Sequence, residues 1–398
     1  MFCRVCLVMI MICVALPGVA LDELAPIKIY LNTPDDLPKV KSVQAVTTGP
    51  KHHFFGYYGM KPWDPTGKQV VCMETEFGDR AVEAGEKANI CLVNLDTGRI
   101  ETLTETGSWN FQQGSLLHWL GDTRRIVFND RIDGEPKAVV MDVDTKERRV
   151  LPMPLAAAST DGKYAASINY GRLFDTRPGY GYPGAEDPNE NHMHPPNDGV
   201  WLMDVDTGET KLVVDLDTVY KLQAVPETYK NEKLWFNHVV FSRNGKRLFF
   251  LARLELNGMN RITAAFTVGL DGSDLRCVLP YEWGASHFDW LDGEHMVVTS
   301  KYEAGKKWYH VFLEDGAAMD TYTVLAGEQM QVDGHCHFSY DGKWMVTDSY
   351  PSGDARYRGL YLYNMETESF AMMMQLHEPR NFSGMWRCDL HPRWSAAG

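Results

Sequence analysis

Along most of this chain short apolar runs alternate with turn-forming polar clusters, and helical periodicity is weak throughout. One element recurs, a turn followed by a β-rich run. It is seen in DPTGKQVVCME (64–74), STDGKYAASI (159–168), SRNGKRLFFLA (242–252), LDGEHMVVTS (291–300) and SYDGKWMVTD (339–348), with LGDTRRIVFND (120–130) as a weaker copy. Asp-Gly and Asn-Gly between apolar runs predict hairpins, because both residues tolerate positive φ. A second element closes each unit with a strand, an acidic turn and another strand: VNLDTGRIETL (93–103), MDVDTKERRVL (141–151), MDVDTGETKLV (203–213), VGLDGSDLRCV (268–278) and YNMETESFAMM (363–373).

The pair repeats at about 40–50 residues, the length of a four-stranded propeller blade. This predicts an all-β fold, a seven-bladed β-propeller of four-stranded antiparallel blades. The blades would begin near His52, Gln112, Leu155, His238, His287, His335 and His391. The last has only its first strand before Gly398, so it is either incomplete or closed by N-terminal strands from 26–48. The expected organisation is a leader over 1–20, an N-terminal segment over 21–50 and a propeller domain over 51–398. The third blade carries a long insertion, YGRLFDTRPGYGYPGAEDPNENHMHPPNDG (170–199), and long ordered loops in compact folds are commonly functional.

Composition narrows the partners. The chain is 44% hydrophobic and 23% charged, enough for a large core. A net charge of −14 argues against nucleic acid, which needs a basic footprint, but leaves room for an acidic sugar held by a local basic site. MFCRVCLVMIMICVALPGVA reads as a secretory signal: Arg4, an apolar run, then a small-residue cleavage pattern. The expectation is export, periplasmic or secreted, with no stable membrane span after cleavage. Five of the eight cysteines lie beyond this leader, an odd and irregular set unlike a disulfide scaffold. Phosphate-binding glycine loops and a GxSxG elbow are both missing from the sequence.

Four histidines share one register. His238, His287, His335 and His391 each precede by three positions an aromatic residue, Phe241, Trp290, Phe338 and Trp394. One such histidine is ordinarily a strand cap, but four in successive blades converge on the channel mouth and point to a metal or catalytic site. Cys336 and Cys388 lie beside the same register, and imidazole with thiolate favours zinc. With oxygen donors instead, manganese or calcium fits the site. The insertion offers Tyr170, Arg172, Arg177, Tyr180 and Tyr182: arginine as a fork for a carboxylate, tyrosine as an acid or base near a cation. His53, Gln113 and Asn129 are further candidates for the same face. The plain alternative for the insertion is a loop packed by its own side chains.

The segments HHFFGYYGMKPWDPTGK, NFQQGSLLHWL, RLFDTRPGYGYP, NHVVFS, SHFDW, DGHCHFSYDGKW and CDLHPRWS together resemble a seven-bladed family of polysaccharide lyases, the ulvan lyases and, more distantly, the oligogalacturonate lyases. The resemblance implies β-elimination at a uronate of an acidic polysaccharide or oligosaccharide. By position, Tyr170 resembles the family's catalytic tyrosine, Arg172 or Arg177 its carboxylate-neutralising arginine, and His238 an active-site histidine. His287, His335, Cys336, Cys388 and His391 resemble the residues around its metal, of which about four would hold a tetrahedral zinc. On the second blade Gln112, Gln113 and Asn129 stand where ulvan lyases place further histidines. Two rival expectations remain: a non-catalytic periplasmic propeller that binds a glycan or protein partner, and a metal-dependent hydrolase on the same scaffold.

Overall fold

The computed structural model describes residues 27–395; the leader-like segment 1–20 lies outside them. Six antiparallel blades of four strands each follow one another around the ring, the sixth with a fifth strand added at its outer edge. Blade 1 is β2 (His52–Phe54), β3 (Gln69–Thr75), β4 (Ala88–Asn94) and β5 (Ile100–Thr106). Blade 2 is β6 (His118–Trp119), β7 (Arg125–Ile132), β8 (Glu135–Asp142) and β9 (Arg148–Val150). Blade 3 is β10 (Ala157–Ala158), β11 (Tyr164–Ser167), β12 (Gly199–Asp204) and β13 (Thr210–Asp215). Blade 4 is β14 (Trp235–Phe241), β15 (Arg247–Leu256), β16 (Asn260–Gly269) and β17 (Arg276–Leu279). Blade 5 is β18 (Phe288–Trp290), β19 (His295–Ser300), β20 (Tyr309–Glu314) and β21 (Thr323–Leu325). Blade 6 is β22 (His337–Phe338), β23 (Trp344–Asp348), β24 (Tyr357–Asn364) and β25 (Phe370–His377), with β1 (Ile27–Ile29) paired outside β25.

The expected seventh blade is therefore corrected to six. The stretch beginning at His391 makes no strand among the described residues, and the N-terminal strand extends blade 6 instead of completing another sheet. Irregular chain fills the gap between blades 6 and 1. Leu37, Leu390 and Trp394 pack on Val346, Leu360 and Leu376 of blade 6, while Val46 and Phe55 pack on blade 1. The Trp394 indole donates to the His337 carbonyl, and the Arg393 guanidinium donates to the carbonyls of Met60 and Gly56. These bonds tie blade 6 to the entry of blade 1, which a ring needs if it is not to open.

The repeat that the sequence displays has a hydrogen-bond basis. In Ser159–Lys163, Ser242–Lys246 and Ser339–Lys343 the serine hydroxyl bonds the side-chain oxygen two residues on. It then accepts the amide five residues on, from Tyr164, Arg247 and Trp344. The following glycines sit at φ +72°, +69° and +72°, where a Cβ is costly. Asn94, Asp142, Asp204 and Asn364 close the second turn by accepting amides two and three residues on. Apolar faces of adjacent blades interlock, for example Trp109, Trp119 and Phe128 between blades 1 and 2. Among the described residues no helix is long and apolar enough to cross a membrane.

Candidate functional site

The inner ends of blades 4, 5 and 6, with the irregular stretch after blade 6, bring the four registered histidines together. The rings of His287 and His335 are 4.0 Å apart, and those of His335 and His391 4.4 Å. Tyr57, from the loop after β2, lies among them, stacked on His238 at 4.6 Å and edge-on to His391 at 5.0 Å. His238 and His391 hold φ of +57° and +47°. In β14 the register slips between Asn237 and Val240, so the bulge re-aims His238 toward the channel. Positive φ in a bulky residue is a strain that the surrounding packing must sustain, and such strain gathers at functional sites.

The histidines differ in what their ring nitrogens do. His287 places Nδ1 2.8 Å from Asp333 and Nε2 3.3 Å from the Tyr350 hydroxyl. His335 directs Nδ1 to Asp348, at 2.9 and 3.0 Å, and its Nε2 is buried without a partner. His391 Nε2 is also buried without a hydrogen bond, 4.0 Å from the Asp389 carboxylate. Ligand atoms of His335, Asp389 and His391 all fall within 4.8 Å of one another. Burial works against the Asp389 carboxylate, but Arg358 and Arg387 overcome it and hold its pKa far below the usual range. Two orphaned imidazole nitrogens beside an ionised carboxylate are a donor set that fits a divalent cation, and the Asp348 contact on His335 is the outer support such a ligand needs.

The expected thiol donors are elsewhere. Cys336 packs with Phe338, Met345 and Tyr363 between blades 5 and 6, and burial pushes its thiol well up. Cys388 lies beside Phe382, Trp386 and Leu390 in an apolar cleft, outside the three-residue cluster. Asp389, which replaces them, was invisible in the sequence because no registered residue marks it; only its place two residues before His391 hinted at it.

Above the histidines opens a cavity of about 560 Å³, lined by Tyr57, Arg177, Tyr180, His238, Arg253, Arg261, Arg387 and others from blades 4 to 6. The insertion that reaches it starts with α1 (Tyr170–Thr176), capped by Asn169, which accepts the Arg172 amide. Arg177 ends the helix, and its guanidinium lies 4.0 Å over the Tyr180 ring. Arg177 makes no ion pair among the described residues, and its Nη1 is buried without a partner. Tyr180 donates to Gln112 Oε1 at 3.1 Å and accepts from Arg387 Nη2 at 3.3 Å. Burial opposes its ionisation, yet Arg177 and then Arg387 outweigh it and bring the phenol below its ordinary pKa. Burial, then Arg253 and Arg177, push His238 well down, so this imidazole is neutral. Gln113 Nε2 contacts His238 Nδ1 at 3.2 Å.

Other sequence candidates sit apart. Tyr170 donates to the Leu155 carbonyl at 3.1 Å and stacks on Tyr182 at 4.4 Å; burial raises its pKa well above the ordinary value. Arg172 is paired with Asp187 at 3.0 Å and donates to the carbonyls of Leu234, His192 and Met193. Neither residue lines the cavity. Asn129 bonds Leu155 and the Tyr182 hydroxyl, and His53 meets Glu74 at 3.0 Å. The tyrosine and arginine expected at 170 and 172 therefore hold the insertion, while Tyr180 and Arg177 reach the cavity.

No protein-family model matches the sequence, and no curated protein matches it. Among solved structures, the chain is similar to an oligogalacturonate lyase from Vibrio parahaemolyticus at 16% identity and TM-score 0.57, covering 88% of this chain and 84% of that one. It is similar to an oligogalacturonate lyase in complex with manganese at 17% identity and TM-score 0.58, covering 88% and 85%. The tricorn protease also aligns, at 9% identity and TM-score 0.50, over 83% of this chain and 32% of that one. The likeness is one of fold, a lyase-like propeller. Of the two lyase groups expected from the sequence, the oligogalacturonate lyases are the one these structures represent.

Proposed function

We propose that this propeller cleaves a uronate-containing glycan, oligogalacturonate-like or ulvan-like, by β-elimination outside the cytoplasm. The observation that carries the reading is Tyr180. It is a buried phenol with a lowered pKa, set under an unpaired arginine in a cationic cavity of an acidic protein. Arg177 would take the uronate carboxylate, and neutralising that charge acidifies the C5 proton. Tyr180, whose ionised form Arg177 and Arg387 favour, would accept the proton from C5 once its own proton has left. The C4–O4 bond breaks and the electron pair of C5–H forms the C4–C5 double bond. Where C5–H and O4 share a face, as in a glucuronate, Tyr180 returns the proton to O4; where they are opposed, as in a galacturonate, water on the far face protonates O4. His238, neutral and stacked on Tyr57, shapes the wall against which the sugar rests.

His335, His391 and Asp389 would hold a divalent cation; the nitrogen and carboxylate donors suit manganese as well as zinc. When bound, that ion would supply positive charge to help polarise the sugar acid.

The test is ultraviolet absorbance of the conjugated double bond during incubation with polygalacturonate, alginate and ulvan, with manganese or zinc added. A rise on one of these is expected, and Tyr180→Phe should slow it by about 10²–10⁴-fold without changing Tm. A folded, metal-loaded protein that gives no unsaturated product on any of the three returns the chain to a binding propeller. Full turnover by Tyr180→Phe removes the proposed base.

A further inference from the structure

Four arginines are fully buried among the described residues: Arg172, Arg253, Arg358 and Arg393. Three have carboxylate or carbonyl partners, although Arg358 leaves its Nε unbonded. Arg172 meets Asp187 and several carbonyls, Arg358 meets Glu378 and Asp389, and Arg393 meets three carbonyls. Arg253, on β15, is different. It is 4% exposed, makes no ion pair among the described residues, and leaves Nε and Nη1 without a partner. Its guanidinium lies 5.5 Å over the Trp235 ring, which fixes its plane, and it lines the large cavity. A buried cation with no counter-charge is a standing cost to the fold unless something anionic arrives.

The cavity therefore holds two guanidinium groups without an ion pair, the half-buried Arg177 and the buried Arg253. Its other two arginines have partners: Arg261 with Glu255 at 3.2 Å, and Arg387 with Asp389 at 2.8 Å. One uronate carboxylate answers Arg177 and leaves Arg253 uncompensated. Beyond Arg253 the cavity continues over blades 4 and 5 past Arg261, Lys301 and Trp308. Arg177 and Arg261 add to the burial that disfavours the charged form of Arg253, so an anion there would relieve three cations at once.

Resting on the lyase reading, we propose that the cavity carries a second anion subsite, centred on Arg253 and flanked by Arg261, which takes an acidic group on the sugar next to the one that is cleaved. A carboxylate or a sulfate ester meets the same need, since both present oxygen pairs to a planar fork.

The test is calorimetric binding to the full chain, with no turnover required. Three saturated disaccharides serve as probes: digalacturonate, a glucuronosyl–N-acetylgalactosamine sulfate, and glucuronosyl-xylose, which has one acidic group. The expected result is that one or both of the dianionic probes binds at least about tenfold tighter than glucuronosyl-xylose. The arm that gains names the source, carboxylate or sulfate. Arg253→Gln should collapse the ratio toward one with little change for glucuronosyl-xylose, and Arg261→Gln should lower it by about threefold. Should Arg253→Gln not fold, the Arg261→Gln ratio decides. Equal affinity for all three probes, no binding at all, or equal loss on every probe in both variants overturns the subsite. Dianion preference without any unsaturated product would sink the lyase reading alone; elimination without that preference would sink only the subsite.

Discussion

His118, Asn129 and Tyr170 on blades 2 and 3 are as deeply buried as His238, His335 and His391 across the ring. On the first side the polar atoms are closed on the fold. His118 Nδ1 donates to the Leu116 carbonyl at 2.7 Å, Asn129 bonds Leu155 at both ends of its amide, and Tyr170 ends on the same Leu155 carbonyl. On the other side buried nitrogens of His335, His391, Arg177 and Arg253 have no hydrogen-bond partner. Buried polar groups are ordinarily satisfied, because leaving one unpaired costs about 1–3 kcal/mol. Isolated exceptions occur on the first side and in blade 1 beside it, at Arg131, Ser167 and His53, but across the ring the unpartnered nitrogens gather at one ligand cluster and one cavity, and that gathering marks residues that await a ligand. Residue type alone does not: histidine, tyrosine and arginine occur in both groups.

The two arginines of the insertion give the sharpest form of this contrast and the largest expected effect. Arg172→Ala leaves Asp187 buried without its cation and should cost about 3–5 kcal/mol of stability, read as a lowered urea midpoint. Arg177→Ala removes a cation that has no partner, so stability should stay level or rise while kcat/KM on a cleaved uronate falls. If Arg177→Ala unfolds the protein as Arg172→Ala does, the division between closed and open residues is broken.

The histidines give the next largest effect. Manganese at about 100 times its Kd should add about 2.7 kcal/mol to wild-type stability. His391→Ala should abolish this gain, and His118→Asn should retain it in full. A gain that survives His391→Ala would place the ion elsewhere and leave the two unpartnered imidazoles unexplained.

Much of this was legible along the chain, and the boundary has physical causes. The Ser-x-Asp/Asn-Gly-Lys turns and the acidic second turns are local hydrogen-bond devices, so the repeat appears in the residues themselves. The convergence of His238, His287 and His335 follows from one register in blades 4 to 6, and His391 joins them from the irregular stretch after blade 6. The blade count failed because CDLHPRWS copies the inner motif but forms no strand among the described residues; Trp394 and Arg393 bond to neighbouring blades instead. Cys336 failed as a ligand because successive side chains in an extended segment point to opposite faces: with His335 in the channel, Cys336 goes to the core. Tyr170 and Tyr180 could not be separated by type or spacing. The turn of α1 sends one hydroxyl to Leu155 and leaves the other beside Arg387, a contact between residues far apart in sequence.

The smallest effect concerns acid. Burial pushes His118 down to about 4, and the Leu116 carbonyl only partly offsets this. Unfolded, the same imidazole titrates near 6.5. Above that pH both states are neutral and His118 has no influence on the balance. As pH falls from 6.5 toward 4 the unfolded chain binds a proton that the folded one refuses, so stability is lost across this window, by about 2 kcal/mol at about pH 5. His118→Asn keeps a donor for Leu116 and removes the titration. Its urea midpoint should therefore fall less steeply than the wild type's between pH 7 and pH 5, by that amount. Parallel curves for the two proteins would mean that His118 is protonated in the folded state, and blades 2 and 3 would then hold an open ionisable site of their own.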